Sequence, residues 1–154
     1  NIMRNFFEKE EYLFQKFIEF RTQGEVEKWF RQSLINPIMQ LQDERRRSQQ
    51  QKISDEIIKM IHEQHDKDLS LELCAERLNY NPKHVSRVFK QETGISFSDY
   101  LAQYRLEVAK KLLKETDMKI SDIAEKLQYQ NAQNFIRYFR KIEGITPGQY
   151  RGNN

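Results

Sequence analysis

Little in this sequence supplies a reactive centre. The single cysteine, Cys74, excludes an intramolecular disulfide, and its place among apolar helical positions reads as a small buried hydrophobe. Five scattered glycines leave no Gly-rich loop to cradle a phosphate, and no G-x-S-x-G elbow holds a nucleophile. Of three histidines, His62 and His65 stand one helical turn apart beside Asp66, but a metal site needs further ligands at compatible spacing. No metal, cofactor or catalytic residue is therefore expected, and the chain does not read as an enzyme. No run of 18 apolar residues provides a membrane span, and no signal peptide opens the chain. Neither sign of charge dominates: 26 Lys and Arg oppose 23 Asp and Glu, so partners must be argued from where the charge lies.

What is present is a pattern written twice. Ala75-Glu76-Arg77-Leu78, Tyr80, Arg87, Phe89, Gly94-Ile95 and Tyr100 are followed by Ala124-Glu125-Lys126-Leu127, Tyr129, Arg137, Phe139, Gly144-Ile145 and Tyr150. The offset is 49 residues from Ala75 to Ala124 and 50 from Arg87 to Arg137 onward, so one residue is added in the turn between. A repeat that keeps its register this way is a duplicated supersecondary unit.

Apolar spacing is helical throughout, with no convincing period of two, which gives an all-α fold. The predicted layout is a helical extension over residues 1–50, then a domain over 51–154. Within that domain a first helix-turn-helix covers 53–95, a linker helix 96–116 and a second helix-turn-helix 120–151. In the extension, Phe6, Phe7, Leu13, Phe14, Phe17, Ile18 and Phe20 form an aromatic stripe that Gly24 is expected to end. Pro37 is expected to break or kink the next helix. The polar run 42–52 is either a boundary or a continuous solvated helix. Ile53, Ile57, Ile58 and Ile61 should pack under the first repeat, and Phe97, Tyr100, Leu101, Tyr104, Val108 and Leu112 let one linker helix serve two cores. At 1.5 Å per residue that helix is about 30 Å long. The chain begins at Asn1 within a helical pattern, which reads as a piece of a larger protein.

The second helix of each repeat carries the functional signal. Asn81 before Pro82, and Asn131, are placed as N-caps. Val85, Val88 and Phe89 share an inward face, leaving Lys83, Ser86, Arg87 and Lys90 outward; Phe135, Tyr138 and Phe139 do the same, leaving Gln133, Ile136, Arg137 and Arg140. Arg can bond both acceptors of guanine, Gln can pair with adenine, and an exposed Ile can touch a thymine methyl, in a major groove that admits one helix. Lys90, Arg140 and Lys141 suit phosphates, which set register without reading sequence. The bland alternative, an ordinary solvated face, fits any one arginine better than two arginines at equivalent places in matched repeats.

Residues 52 to 151 resemble the DNA-binding domain of AraC/XylS transcription regulators. Ser96-Phe97-Ser98-Asp99-Tyr100-Leu101, Tyr104-Arg105-Leu106 and Ala109-Lys110-Lys111-Leu112-Leu113 are similar to that family's linker helix. Ile120, Ile123-Ala124, Tyr129, Asn134-Phe135, Arg137, Phe139-Arg140-Lys141, Gly144-Ile145-Thr146-Pro147 and Tyr150-Arg151 are similar to its C-terminal signature. The resemblance implies seven helices and two homeodomain-like helix-turn-helix units entering successive major grooves. It implies base contacts from Lys83, Ser86, Arg87, Gln133, Asn134 and Arg137; the outward face itself adds Ile136 as a base contact, and Asn81, Lys90, Asn131, Arg140 and Lys141 as expected phosphate contacts. Gln128 departs from the glycine usual before the aromatic, which would strain a left-handed turn. The implied protein is a bacterial, cytoplasmic, sequence-specific regulator, more often an activator, whose partner is double-stranded DNA. RNA polymerase is a second expected partner, and a homodimer could form through the extension or an upstream domain. Some Gram-positive relatives carry membrane-anchored sensory regions upstream. The competing classes are a helical protein-interaction module and a non-specific architectural or RNA-binding protein.

Overall fold

The computed structural model describes residues 18–152, so the aromatic stripe from Phe6 to Phe17 lies outside the described residues. Contacts divide the chain into two compact units, Asn1–Ser48 and Gln49–Asn154.

In the first unit, helix α1 is Gln23–Phe30. Thr22 caps it by accepting from the Glu25 amide at 3.3 Å, and Glu25 accepts from the Arg21 amide at 2.8 Å, so two otherwise orphaned donors are satisfied. Gly24 therefore does not end a helix, as expected from the sequence, but sits in the first turn of one. Trp29 packs between Phe20 and Phe30, with ring centroids 5.8 and 5.3 Å away. A wide π turn, Arg31–Ile35, follows α1 and helix α2 begins at Asn36. Pro37 sits just past that wide turn, so the regular α-helical ladder is interrupted where the missing donor and ring clash fall.

Helix α2, Asn36–Gln64, is continuous through the polar run, and its second half opens the second unit. There follow α3 (Leu71–Arg77), α4 (Pro82–Thr93), α5 (Phe97–Glu115), α6 (Ile120–Lys126), α7 (Ala132–Glu143) and α8 (Pro147–Gly152). Among the described residues the second unit is all helix and turn, and it holds two cores. Ile53, Ile57, Ile61, Cys74, Ala75, Val85, Val88 and Phe89 build the first, closed by Phe97 and Leu101 from α5. Leu106, Ala109 and Leu113, further along α5, join Ile123, Ala124, Leu127, Phe135 and Phe139 in the second. One 19-residue helix, about 28 Å long, thus belongs to both cores. Each fully buried aromatic or branched side chain contributes on the order of 1.5–3 kcal/mol. Cys74 is wholly buried, and desolvation pushes its thiol up.

The repeat is legible in hydrogen bonds. Leu78 and Leu127 close their helices onto the carbonyls of Cys74 and Ile123; the Tyr80 and Tyr129 amides reach back to Ala75 and Ala124, each at 2.9 Å. This closure needs a left-handed residue just before the tyrosine. Asn79 (φ 56°) and Gln128 (φ 62°) supply it, so the strain expected at Gln128 is present. After α4 and α7, Gly94 and Gly144 take φ of 80° and 79° and donate to Lys90 and Arg140. The added residue is Gln130, between Tyr129 and the cap Asn131.

Candidate nucleic-acid interface

Helices α4 and α7 are aimed by their buried faces. Val85, Val88 and Phe89 are fully buried under α4, as are Phe135 and Phe139 under α7. Edge-on ring contacts from Phe89 to Tyr100 (5.5 Å) and from Phe139 to Tyr150 (5.4 Å) hold the helices at equivalent points. The opposite faces must then meet solvent: Lys83, Ser86, Arg87 and Lys90 are exposed on α4, and Gln133, Arg137, Arg140 and Lys141 on α7. Asn134 is half-buried. Ile136 differs from the exposed contact expected of it. It packs against the second core, yet still lines a surface cleft of about 530 Å³ with Gln133, Arg137, Arg140, Lys141 and Thr146. The reason is geometric, since Ile136 follows the fully buried Phe135 by one residue and sits on the flank of the helix.

Asn81 and Asn131 sit at the N-termini of these helices, each with its carboxamide oxygen engaged as a cap. Asn81 accepts from the Lys83 amide at 2.9 Å, and Asn131 from the Asn134 amide at 2.8 Å. Only the side-chain NH2 remains as a donor, beside a helix end that favours anions.

Both arginines are braced by the residue three positions earlier. Arg137 donates to Asn134 Oδ1, and Asn134 donates in turn to Gln130 Oε1 at 3.4 Å. Arg87 Nη2 lies 3.4 Å from His84 Nδ1. His84 and Asn134 occupy equivalent repeat positions, separated like the two arginines by 50 residues. Sequence reasoning passed over His84, although the i, i+3 spacing on a helix is the signal that finds it. His62 and His65 are occupied otherwise: both pack on Tyr104, with ring centroids 4.4 and 5.1 Å away.

Two long-range arginine clamps hold the helices in place. Arg105, from α5, donates to the His65 and Lys67 carbonyls at 2.8 and 3.0 Å, and burial lowers its pKa from the ordinary value. Arg151, from α8, donates to the Leu113 and Met118 carbonyls at 3.2 and 2.7 Å. Lys110 bridges Glu107 and Glu143, joining α5 to the end of α7; the Glu107 hydrogen bond holds its pKa up. Tyr129 has the one buried side-chain polar atom without a partner among the described residues, and desolvation raises its hydroxyl to about 12.

Two matched helix-turn-helix units, each presenting a polar, donor-rich helix to solvent, define a tandem DNA-binding domain. A family model described as a helix-turn-helix domain matches residues 74–153. The chain is 46% identical over 144 residues to the uncharacterized HTH-type transcriptional regulator YtdP of Bacillus subtilis, a match covering 94% of this chain and 19% of that protein. It is 36% identical over 101 residues to the regulatory protein SoxS of Escherichia coli K12, covering 66% of this chain and 94% of SoxS. Among solved structures it is similar to the C-terminal domain of AraT, a response regulator from Geobacillus stearothermophilus. That match has a TM-score of 0.63 and 39% identity, over 66% of this chain and 85% of the other. The chain belongs to the AraC/XylS family of helix-turn-helix transcription regulators. It is a sequence-specific DNA-binding regulatory domain, and it spans about a fifth of the length of YtdP.

Proposed function

We propose that α4 and α7 are recognition helices that enter successive major grooves on one face of a duplex. In this reading Lys83, Ser86 and Arg87 read one half-site, while Gln133, Asn134, Arg137 and the flank of Ile136 read the other. Lys90, Arg140 and Lys141, with the capped ends at Asn81 and Asn131, hold phosphates. The observation that carries the reading is the placement of Arg87 and Arg137 at equivalent points on solvent faces of matched helices, with Arg137 held by Asn134 and Arg87 beside His84. An arginine held in place loses less freedom on making a bidentate contact to guanine. Successive grooves on one face lie about 34 Å apart, and a rigid pair of units would bend the duplex at a cost of order 1–6 kcal/mol. Hydroxyl-radical footprinting with circular-permutation gel shifts tests this. Two protected patches one turn apart on a bent duplex are expected; one patch on straight DNA would overturn it.

The protein as a whole we read as a cytoplasmic-facing activator that contacts RNA polymerase, with an upstream region supplying the signal. Self-association through the first unit is supported by the exposed Ile35, Ile38, Met39 and Leu41, apolar groups at helical spacing in a unit whose α1 buries no residue. Sedimentation of residues 1–154 against 52–154 separates the cases: a dimer of the longer chain alone is expected, and equal monomer masses would remove that part of the reading.

A further inference from the structure

The turn before α7 places at its left-handed position a residue type that local structure does not explain. Gln128 holds φ at 62°, a conformation that costs a residue with a side chain roughly 1–2 kcal/mol and glycine nothing. Asn79, at the equivalent place in the first helix-turn-helix, is a residue type that tolerates this region better. Strain of this kind persists where something else depends on the side chain. Here that dependence is visible, because Gln128 Nε2 donates to the Asp66 carbonyl at 3.0 Å, across 62 residues and from the second helix-turn-helix to the loop that follows α2.

That loop is held from two directions. Arg105 takes the carbonyls of His65 and Lys67, the residues on either side of Asp66. Three consecutive carbonyls are thus occupied by one donor residue from the linker helix and one from the second helix-turn-helix. The linker helix joins the two helix-turn-helices through their cores, and Gln128 adds a direct bond from the turn of the second to the loop that opens the first. Asn79 makes no corresponding bond among the described residues, so the device belongs to one turn and not to the repeat.

We propose that Gln128 is a positioning residue that sets the register between the two recognition helices, and so the half-site spacing the protein accepts. It touches no base. It acts by limiting the swing of the second helix-turn-helix at the end of the linker helix, and the proposal rests on the two-groove reading above. Inserting one base pair between half-sites displaces and rotates one of them by about a tenth of a turn. A locked pair of units must lose contacts to follow; an unlocked pair can adjust.

The test uses the 154-residue chain and duplexes selected from random sequence by the wild type, then remade with one base pair inserted or removed between the half-sites. Wild type should lose about tenfold or more in affinity on the altered spacings, as for a mismatched base pair. Gln128→Glu keeps the length of the side chain and the left-handed backbone but carries no donor. In it the spacing penalty should shrink by the factor one hydrogen bond supplies, about 2- to 12-fold, with affinity on the original spacing changed by less than about threefold. Gln128→Gly should behave likewise, and it relieves backbone strain, so its folding is not in question. Gln128→Lys, which restores a donor of similar reach, should recover the wild-type profile. Equal spacing penalties in wild type, Glu and Gly variants would overturn the lock while leaving the two-groove reading intact. A wild type indifferent to spacing would overturn both.

Discussion

The first and second helix-turn-helix units are alike where they are built and different where they face solvent. Both close the first helix with the same tyrosine-to-alanine backbone bond, cap the second with asparagine, and end it on a left-handed glycine. Both hang an aromatic core on opposite ends of one linker helix. Their outward faces diverge: Lys83 and Ser86 against Gln133 and Ile136, with His84 bracing one arginine and Asn134 the other. A duplicated frame therefore holds two different sets of donors. One chain can recognise an asymmetric site, with no requirement for a palindrome.

The comparison is broken most severely in the cores. Phe89→Ala and Phe139→Ala each empty a fully buried aromatic position and should cost about 3–5 kcal/mol. Because the two cores share a helix but no residue, amide exchange should rise most in the half that carries the substitution. Equal loss in both halves would mean a single cooperative core.

Next in size are the two arginines proposed to read bases. Arg87→Ala and Arg137→Ala should each cost about 1–3 kcal/mol on the cognate duplex, measured by fluorescence anisotropy, and relax preference at a different base pair. Equal losses on random duplex would make both arginines phosphate contacts and favour an architectural protein.

The left-handed turns sharpen the comparison further. Gln128→Gly should raise thermal stability, by up to about 1 kcal/mol, because it relieves a strain that exceeds the worth of one exposed hydrogen bond. Asn79→Gly should gain less, since Asn tolerates that region. A larger gain at position 79 would place the strain in the wrong unit.

The smallest effect concerns Tyr129. Its hydroxyl is buried without a partner and its pKa is raised to about 12. The unfolded chain loses that proton near 10 while the folded chain keeps it, so stability is full below about pH 10 and falls as pH rises toward 12. Tyr129→Phe should be neutral to slightly stabilising at pH 7 and should flatten part of that alkaline loss in urea titrations. An unchanged alkaline slope would place the loss on another group.

Much of this frame was legible in residue order. The shift from 49 to 50 located the added Gln130 in the turn, asparagine and Pro82 marked the cap of α4, and the apolar steps from Phe97 onward announced a helix shared by two cores. Gln128 was legible as a strained position only through the family resemblance, in which glycine usually stands before the aromatic. Its partner was not, because a backbone carbonyl 62 residues away has no residue-type signature. The clamps made by Arg105 and Arg151 escaped sequence reasoning for the same reason. The half-burial of Ile136 was not legible because a helical flank is neither face, and the π turn before Pro37 has no residue-type signature. The brace at His84 was within reach, since its spacing from Arg87 repeats that of Asn134 from Arg137.

The most direct test of two different readers in one frame is a selection from random duplexes with the wild-type chain, followed by sequencing. The expected product is a two-part site with half-site centres about 10–10.5 base pairs apart. The two halves should be unrelated in sequence and in fixed order, with Arg87→Ala erasing preference in one half and Arg137→Ala in the other. A single half-site, or two halves that are copies of one another, would contradict the account.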